Sequence, residues 1–240
     1  MKKELFKSIK KLNVTTTACD ILIRTGTVLV PTVSYTGKFE IRDDDTKAFI
    51  KEKSNDSVMG NSNSVVINRG STVIYGDNVV IVNGKVIKGI ERKLNHNEDT
   101  ESASLEIVVP KDSQLEYELT SNVGLIDVSG VKASKFKVQT SAGDVELTDI
   151  DSESIYLETM SGDIELNRIK ADDIALESMS GDIDAVINDY KNNFFIEKCT
   201  MSGDINIDSY DGYSDSIQNR NKKLYIKTMS GDVDILFKKR

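Results

Sequence analysis

From Leu105 onward, apolar and polar residues alternate in short runs, as they do in half-buried strands, and the runs repeat. Tyr117, Phe136, Ile155, Ile174 and Leu224 share one phase of the repeat, and Leu119, Val138, Leu157, Leu176 and Ile226 share the next apolar phase. After a turn come Ile126, Val145, Ile164, Ile183, Ile205 and Val233, then Val128, Leu147, Leu166, Ala185, Ile207 and Ile235. These four columns are the predicted core. The turn between them reads Thr159-Met160-Ser161-Gly162-Asp163. It recurs as Ser178-Met179-Ser180-Gly181-Asp182, Thr200-Met201-Ser202-Gly203-Asp204 and Thr228-Met229-Ser230-Gly231-Asp232, with an earlier copy at Thr140-Ser141-Ala142-Gly143-Asp144 and a worn one at 121–125. The glycines at 124, 143, 162 and 181 stand 19 residues apart, and those at 203 and 231 follow after steps of 22 and 28.

A fixed period of this kind marks a repeat architecture. Like residues at like phase, Met over Met and Asp over Asp, predict an all-β fold: a single-chain parallel β-solenoid with coils of about 19 residues. An antiparallel meander with hairpins at Ser-Gly would share the period and is the competing topology. Ala18-Cys19-Asp20-Ile21-Leu22-Ile23 overlays Ser161–Leu166 and reads as a degenerate first coil, with Cys19 in the glycine position. Further strands are expected at 33–41 and 47–51. Residues 54–104 break the pattern and read as an inserted β-hairpin arm with polar loops. Its strands fall near 64–68, 72–75, 79–82 and 85–88, and Asn83-Gly84 is a hairpin turn signal. The organisation is thus degenerate coils over 1–53, the insert, and the main solenoid over 105–240. One copy does not fit the frame: Lys198 would stand in an apolar column, and a one-residue bulge would restore the alternation.

Within the turn, Gly143, Gly162, Gly181, Gly203 and Gly231 are expected to supply a left-handed backbone conformation, and the following Asp to bond nearby amides. Calcium-binding β-rolls also use Gly and Asp in turns, but on a Gly-Gly-x-Gly-x-Asp nonapeptide that is missing here, so no metal is expected. Met160, Met179, Met201 and Met229 are read as gap-fillers at a corner. The outward face of the second strand carries Asp144, Glu146, Asp163, Glu165, Asp182, Asp184, Asp204, Asn206, Asp232 and Asp234, nine of them acidic. These acids are the candidate binding residues, as a docking face for a cationic or polar ligand. The competing reading is a solvated face that keeps an edge-rich protein soluble.

Composition narrows the function. The 240 residues carry a formal net charge of −8, which disfavours nucleic acid as a partner. Cys19 and Cys199 have no metal-site spacing, and a buried free thiol is the expected state of each. The only histidine is His96, and no Walker, dinucleotide, His-Glu-x-x-His or nucleophile-elbow motif occurs. No catalytic residue and no cofactor is therefore predicted. No run has transmembrane length. Residues 1–12 lack the apolar core of a secretory signal and read either as a basic amphipathic surface helix or as an entry strand or short cap. The expected location is cytoplasmic or peripheral to the membrane, or the cell surface if a leader has been removed.

The recurrent Thr-Met-Ser-Gly-Asp-Ile-x-Leu, together with Asp20-Ile21-Leu22-Ile23 and Leu105-Glu106-Ile107-Val108-Val109-Pro110, resembles the bacterial putative-adhesin domain of unknown function, whose relatives include head-domain adhesins with a similar repeated Ser-Gly turn. The resemblance covers 105–240 strongly and 9–53 weakly, and 54–100 depart from it. It implies a β-solenoid and, in some relatives, a link to the cell envelope. Two functions follow as expectations. One is a non-catalytic scaffold binding a macromolecular partner, with homo-oligomers through the solenoid ends. The other is a carbohydrate-binding or carbohydrate-active β-helix, for which the aromatics Tyr190, Phe194, Phe195, Tyr210 and Tyr213 would serve.

Overall fold

The computed structural model describes residues 1–6, 8–44, 46–53, 103–210 and 220–239, and of 54–102 only the backbone of four strands. The chain divides into two compact units, Met1–Ser54 with Glu101–Arg240, and Asn55–Thr100. In chain order the strands are β1 (Lys2–Leu5), β2 (Lys11–Thr15), β3 (Asp20–Gly26), β4 (Thr32–Thr36), β5 (Phe39–Asp44) and β6 (Lys47–Glu52). The second unit holds β7 (Val65–Asn68), β8 (Ser71–Gly76), β9 (Val79–Val82) and β10 (Lys85–Ile87), an antiparallel sheet in which each strand pairs with the next. Val82 faces Lys85 across the β9–β10 pair. Asn83-Gly84, His96 and the polar loops of this unit lie outside the described residues.

The first unit resumes with β11 (Ser104–Pro110), β12 (Gln114–Ser121), β13 (Ile126–Ser129), β14 (Lys132–Thr140), β15 (Val145–Thr148), β16 (Asp151–Thr159), β17 (Ile164–Ser178) and β18 (Ile183–Ile187). It ends with β19 (Phe194–Thr200), β20 (Ile205–Ser209), β21 (Lys222–Thr228) and β22 (Val233–Phe237). Each coil gives one strand to each of two sheets. One sheet runs β4, β11, β3, β13, β15, β17, β18, β22, β20, and the other β6, β2, β12, β14, β16, β17, β21, β19. β17 passes from the first sheet into the second. Ile155–Thr159 pairs in parallel with Ile174–Ser178, which is the solenoid arrangement and rules out the meander. The four predicted columns stack in register, and from Tyr117 and Ile126 through Ile187 and again over Leu224–Ile235 their side chains are buried.

The coils do not stack in chain order at either end. The first coil, β2–β3, lies between β6–β11 and β12–β13. The last coil, β21–β22, lies between the β17–β18 coil and β19–β20. Both terminal coils are therefore sandwiched, and among the described residues the irregular β19–β20 coil is outermost. Its outer position also accounts for Lys198, which sits opposite Ile226 with no bulge. An end coil has no next layer to exclude water from an ammonium in that column. At the other end Lys2–Leu5 is an entry strand antiparallel to β4, with Phe6 and Ile9 buried behind it.

Of the five turn glycines only Gly203 takes the expected left-handed conformation, and the other four act differently. Positive φ is found at Gly37, Gly130 and Gly203 but not at Gly143, Gly162, Gly181 or Gly231. What these four require is proximity. A Cβ on Gly162 would lie 2.1 Å from the carbonyl oxygen of Gly143, one on Gly181 2.0 Å from that of Gly162, and one on Gly231 2.1 Å from that of Gly181. Successive corners touch backbone to backbone, leaving no room for a methyl group. The regular left-handed series lies at the opposite corner, at Gly130, Asp149 and Arg168, which are 19 residues apart. There the Arg168 guanidinium donates two hydrogen bonds of 2.5 Å to the carboxylate of Asp149 one coil away.

The Thr or Ser that opens each turn has a role that alternation alone did not reveal. Thr140, Thr159, Ser178 and Thr228 are buried, and their hydroxyl oxygens accept the N–H of the glycine three residues on at 2.9–3.0 Å. At the first coil the corner amides of Thr17, Ala18 and Cys19 are bonded in another way. The Glu52 carboxylate accepts them at 2.6, 3.1 and 3.3 Å.

Replacing Gly162 or Gly181 by Ala is predicted to cost on the order of 1–3 kcal/mol each, the usual range for overpacking. Chemical denaturation of the two single variants checks this. Midpoints equal to that of the parent would show that the corners can separate at no cost.

Candidate functional site

The acidic face is built by the same corner. Each Asp of Ser-Gly-Asp directly precedes a strand of the first sheet, so its side chain points outward. Asp144, Asp163, Asp182, Asp232 and Asp204 form one exposed column, in that spatial order. The carboxylates of the first four each accept the backbone N–H of the next Asp in the stack: Asp163 N–H to Asp144 at 3.0 Å, Asp182 to Asp163 at 2.9 Å, Asp232 to Asp182 at 2.8 Å and Asp204 to Asp232 at 2.9 Å. Asp20 does the same for the Leu125 amide at 2.9 Å. One carboxylate oxygen of each is thus engaged in joining coils.

Two residues on, a second column runs Asp127, Glu146, Glu165, Asp184, Asp234, Asn206 in strict register. Its ends are tempered: Arg24 lies 3.6 Å from Asp127, and the Asn206 amide donates to Asp234 at 3.0 Å. Among the described residues, Glu146, Glu165 and Asp184 have no ion-pair partner. Partial burial, and then the carboxylates of Asp127, Glu165 and Asp144, raise the Glu146 carboxyl above its ordinary range. Burial, and then Asp234, Asp182, Glu165 and Asp163, do the same to Asp184. The two columns thus differ in kind. One joins the coils, and the other holds like charges about 4.8 Å apart with little to offset them.

The methionines are more exposed than gap-filling would make them. Met229, Met179, Met160 and Met201 are 39, 45, 54 and 79% exposed, and with Ser141, Ser161, Ser180, Ser202 and Ser230 they line an open groove along the corner next to the Asp column. Cys19 is buried, and burial, with Glu52 and Asp20 nearby, pushes its thiol up to about 12. Cys199 is exposed on β19, against expectation, because that strand is outermost.

The aromatics do not gather into one open platform. Phe194 is in the core against Phe237, Lys239 lies over the Tyr190 ring and Lys238 over the Tyr210 ring, while Phe195 is half exposed. Tyr213 lies outside the described residues. The carboxylates run in rows and do not converge on one point, the arrangement that paired acid–base chemistry needs. Among the described residues no group of three or more His, Cys, Asp or Glu could hold a metal ion. No described helix is long and apolar enough to cross a membrane.

The fold and its acidic face define a repeat protein of the two-sheet parallel β-solenoid class. Residues 9–238 match the Toastrack DUF4097 family, and the chain belongs to that family. Two solved structures resemble the chain over most of its length. One is described as a putative cell adhesion protein from Clostridium sporogenes ATCC 15579, with 11% identity over 99% of both chains and a TM-score of 0.45. The other is described as a putative adhesin from Bacteroides fragilis NCTC 9343, with 14% identity, 100% of this chain and 95% of the other covered, and a TM-score of 0.40. No curated protein matches the chain.

The two acidic columns are predicted to respond oppositely to neutralisation. Asp163→Ala removes the acceptor of the Asp182 amide and should cost about 1 kcal/mol. Asp184→Asn removes a repelled charge and should leave the melting temperature at neutral pH unchanged or higher. The sign follows from linkage. A carboxyl raised in the folded state costs stability above its folded pKa, and the cost fades as pH falls through that value. The gap between Asp184→Asn and the parent should therefore close in mild acid. Thermal melts at several pH values check both. A clear loss of stability in Asp184→Asn at neutral pH would contradict the assignment.

Proposed function

We propose that this chain is a non-catalytic, adhesin-like scaffold of the bacterial cell envelope that holds an extended cationic partner along its acidic face. The observation that carries the reading is the column of Glu146, Glu165 and Asp184, three outward carboxylates in register with no cation beside them among the described residues. A cationic partner would relieve the repulsion that the fold tolerates there. The repeat supports an extended ligand. Three residues of extended peptide span about 10 Å, close to the rise of two coils, so the same contact recurs up the stack. The Met groove beside the Asp column offers such a chain an apolar margin. Exposed ion pairs contribute roughly 0.2–1 kcal/mol each, so affinity comes from several together.

The test neutralises the second column and spares the amide-accepting one: Glu146→Gln, Glu165→Gln, Asp184→Asn and Asp234→Asn combined. Binding of oligolysine, calcium and an anionic glycan is measured at low and at physiological salt. The parent should bind oligolysine in preference to the glycan, more weakly as salt shortens the Debye length to about 8 Å. The variant should lose about tenfold or more in affinity, as expected for several weak pairs lost together. Equal binding by parent and variant would refute the proposal.

A further inference from the structure

Among the described residues β19 and β20 each pair with one neighbour, β21 and β22, so their other sides form the open end of the stack. A strand with free N–H and C=O groups on one side is a template for another chain. Here the carbonyls of that template are already occupied. The Asp204 carbonyl accepts the Val233 amide at 2.9 Å, and the Tyr210 amide donates to Phe237 at 2.9 Å. Successive backbone groups alternate sides, so the even-numbered residues of β20 face β22, and Ile205 and Ile207 face outward. Those two carbonyls are the ones that receive lysine. The Lys191 ammonium donates to Ile207 O at 2.5 Å, and that of Lys198 reaches Ile205 O at 3.4 Å.

Lys198 also breaks the pattern of its own column. In the coils beneath it the position holds Leu119, Val138, Leu157, Leu176 and Ile226. A further coil laid on this end would bury an ammonium among apolar side chains, which is costly without a partner charge. Lys191 is held at the edge by its neighbours. It starts the short turn Lys191–Asn193, whose preceding Asp189 is buried and bonded to Lys222, Asn193 and the Tyr190 amide at 2.6–2.7 Å. The chain sequence adds a third sign. The regular β21–β22 coil, with its complete Thr-Met-Ser-Gly-Asp turn, sits inside, and the lysine-bearing coil lies over it.

We infer that Lys191 and Lys198 form a stop that prevents a second copy of this chain from pairing onto the β19–β20 end. The partner this edge would otherwise fit is the same edge of another copy, related by a two-fold axis. The opposite end finishes in strands β1 and β5, which run antiparallel to β4 and β6 and so break the parallel stack.

The test is sedimentation velocity over a concentration series, comparing the parent, Lys198→Arg, and the double variant Lys191→Met with Lys198→Leu. The double variant should associate to twice the parent mass at concentrations where the parent does not, and Lys198→Arg should behave as the parent. A double variant that melts cooperatively and sediments as the parent does would overturn the inference. A second measurement needs no variant. The outward amides of Ile205 and Ile207 should exchange hydrogen quickly in the parent, far faster than the amide of Val233. Equal protection would show that the edge is paired already and that the lysines stop nothing.

Discussion

The fold depends on how closely one corner can approach the next. At Gly143, Gly162, Gly181 and Gly231 the carbonyl of the preceding corner occupies the place of a side chain. That contact sets both sheets at strand spacing at once, because each coil contributes to both. Other residues of the turn serve the same approach. The buried Thr or Ser hydroxyl takes the glycine amide, and the Asp carboxylate takes an amide of the next coil. The corner therefore leaves few backbone groups unbonded as the coils close up, and the four apolar columns follow in register.

A stack of identical corners has no natural end, and the chain deals with its two ends by different means. At one end the Glu52 carboxylate accepts the corner amides of Thr17, Ala18 and Cys19, and the stack finishes in antiparallel strands. At the other end the most irregular coil is placed outermost and bears lysines. In both cases the terminal coil of the chain is enclosed between neighbours, which protects from fraying the segments that would otherwise fray first. The same geometry makes one row of acids structural and leaves the other without ion-pair partners among the described residues, so an acidic face arises where the fold also needs carboxylates.

The periodicity by itself determined the repeat and the four apolar columns, because a repeated inward side chain requires the same neighbour in each layer, while the pairing of Ile155–Thr159 with Ile174–Ser178 decided for parallel coils over a meander. It also marked the acidic face, since alternation after the turn sends Asp and the next acid but one to the same side. The tertiary structure decided the rest. Only stacked corners reveal that Gly162 is needed for contact and that left-handed backbone belongs to Asp149 and Arg168 across the coil. Which acids are joined to the next coil depends on an amide 19 to 50 residues away. That Lys198 needs no bulge follows from the order of the coils in space. The sequence places that coil before the last one, and the fold puts it outside, where a charge in a core column can remain in water.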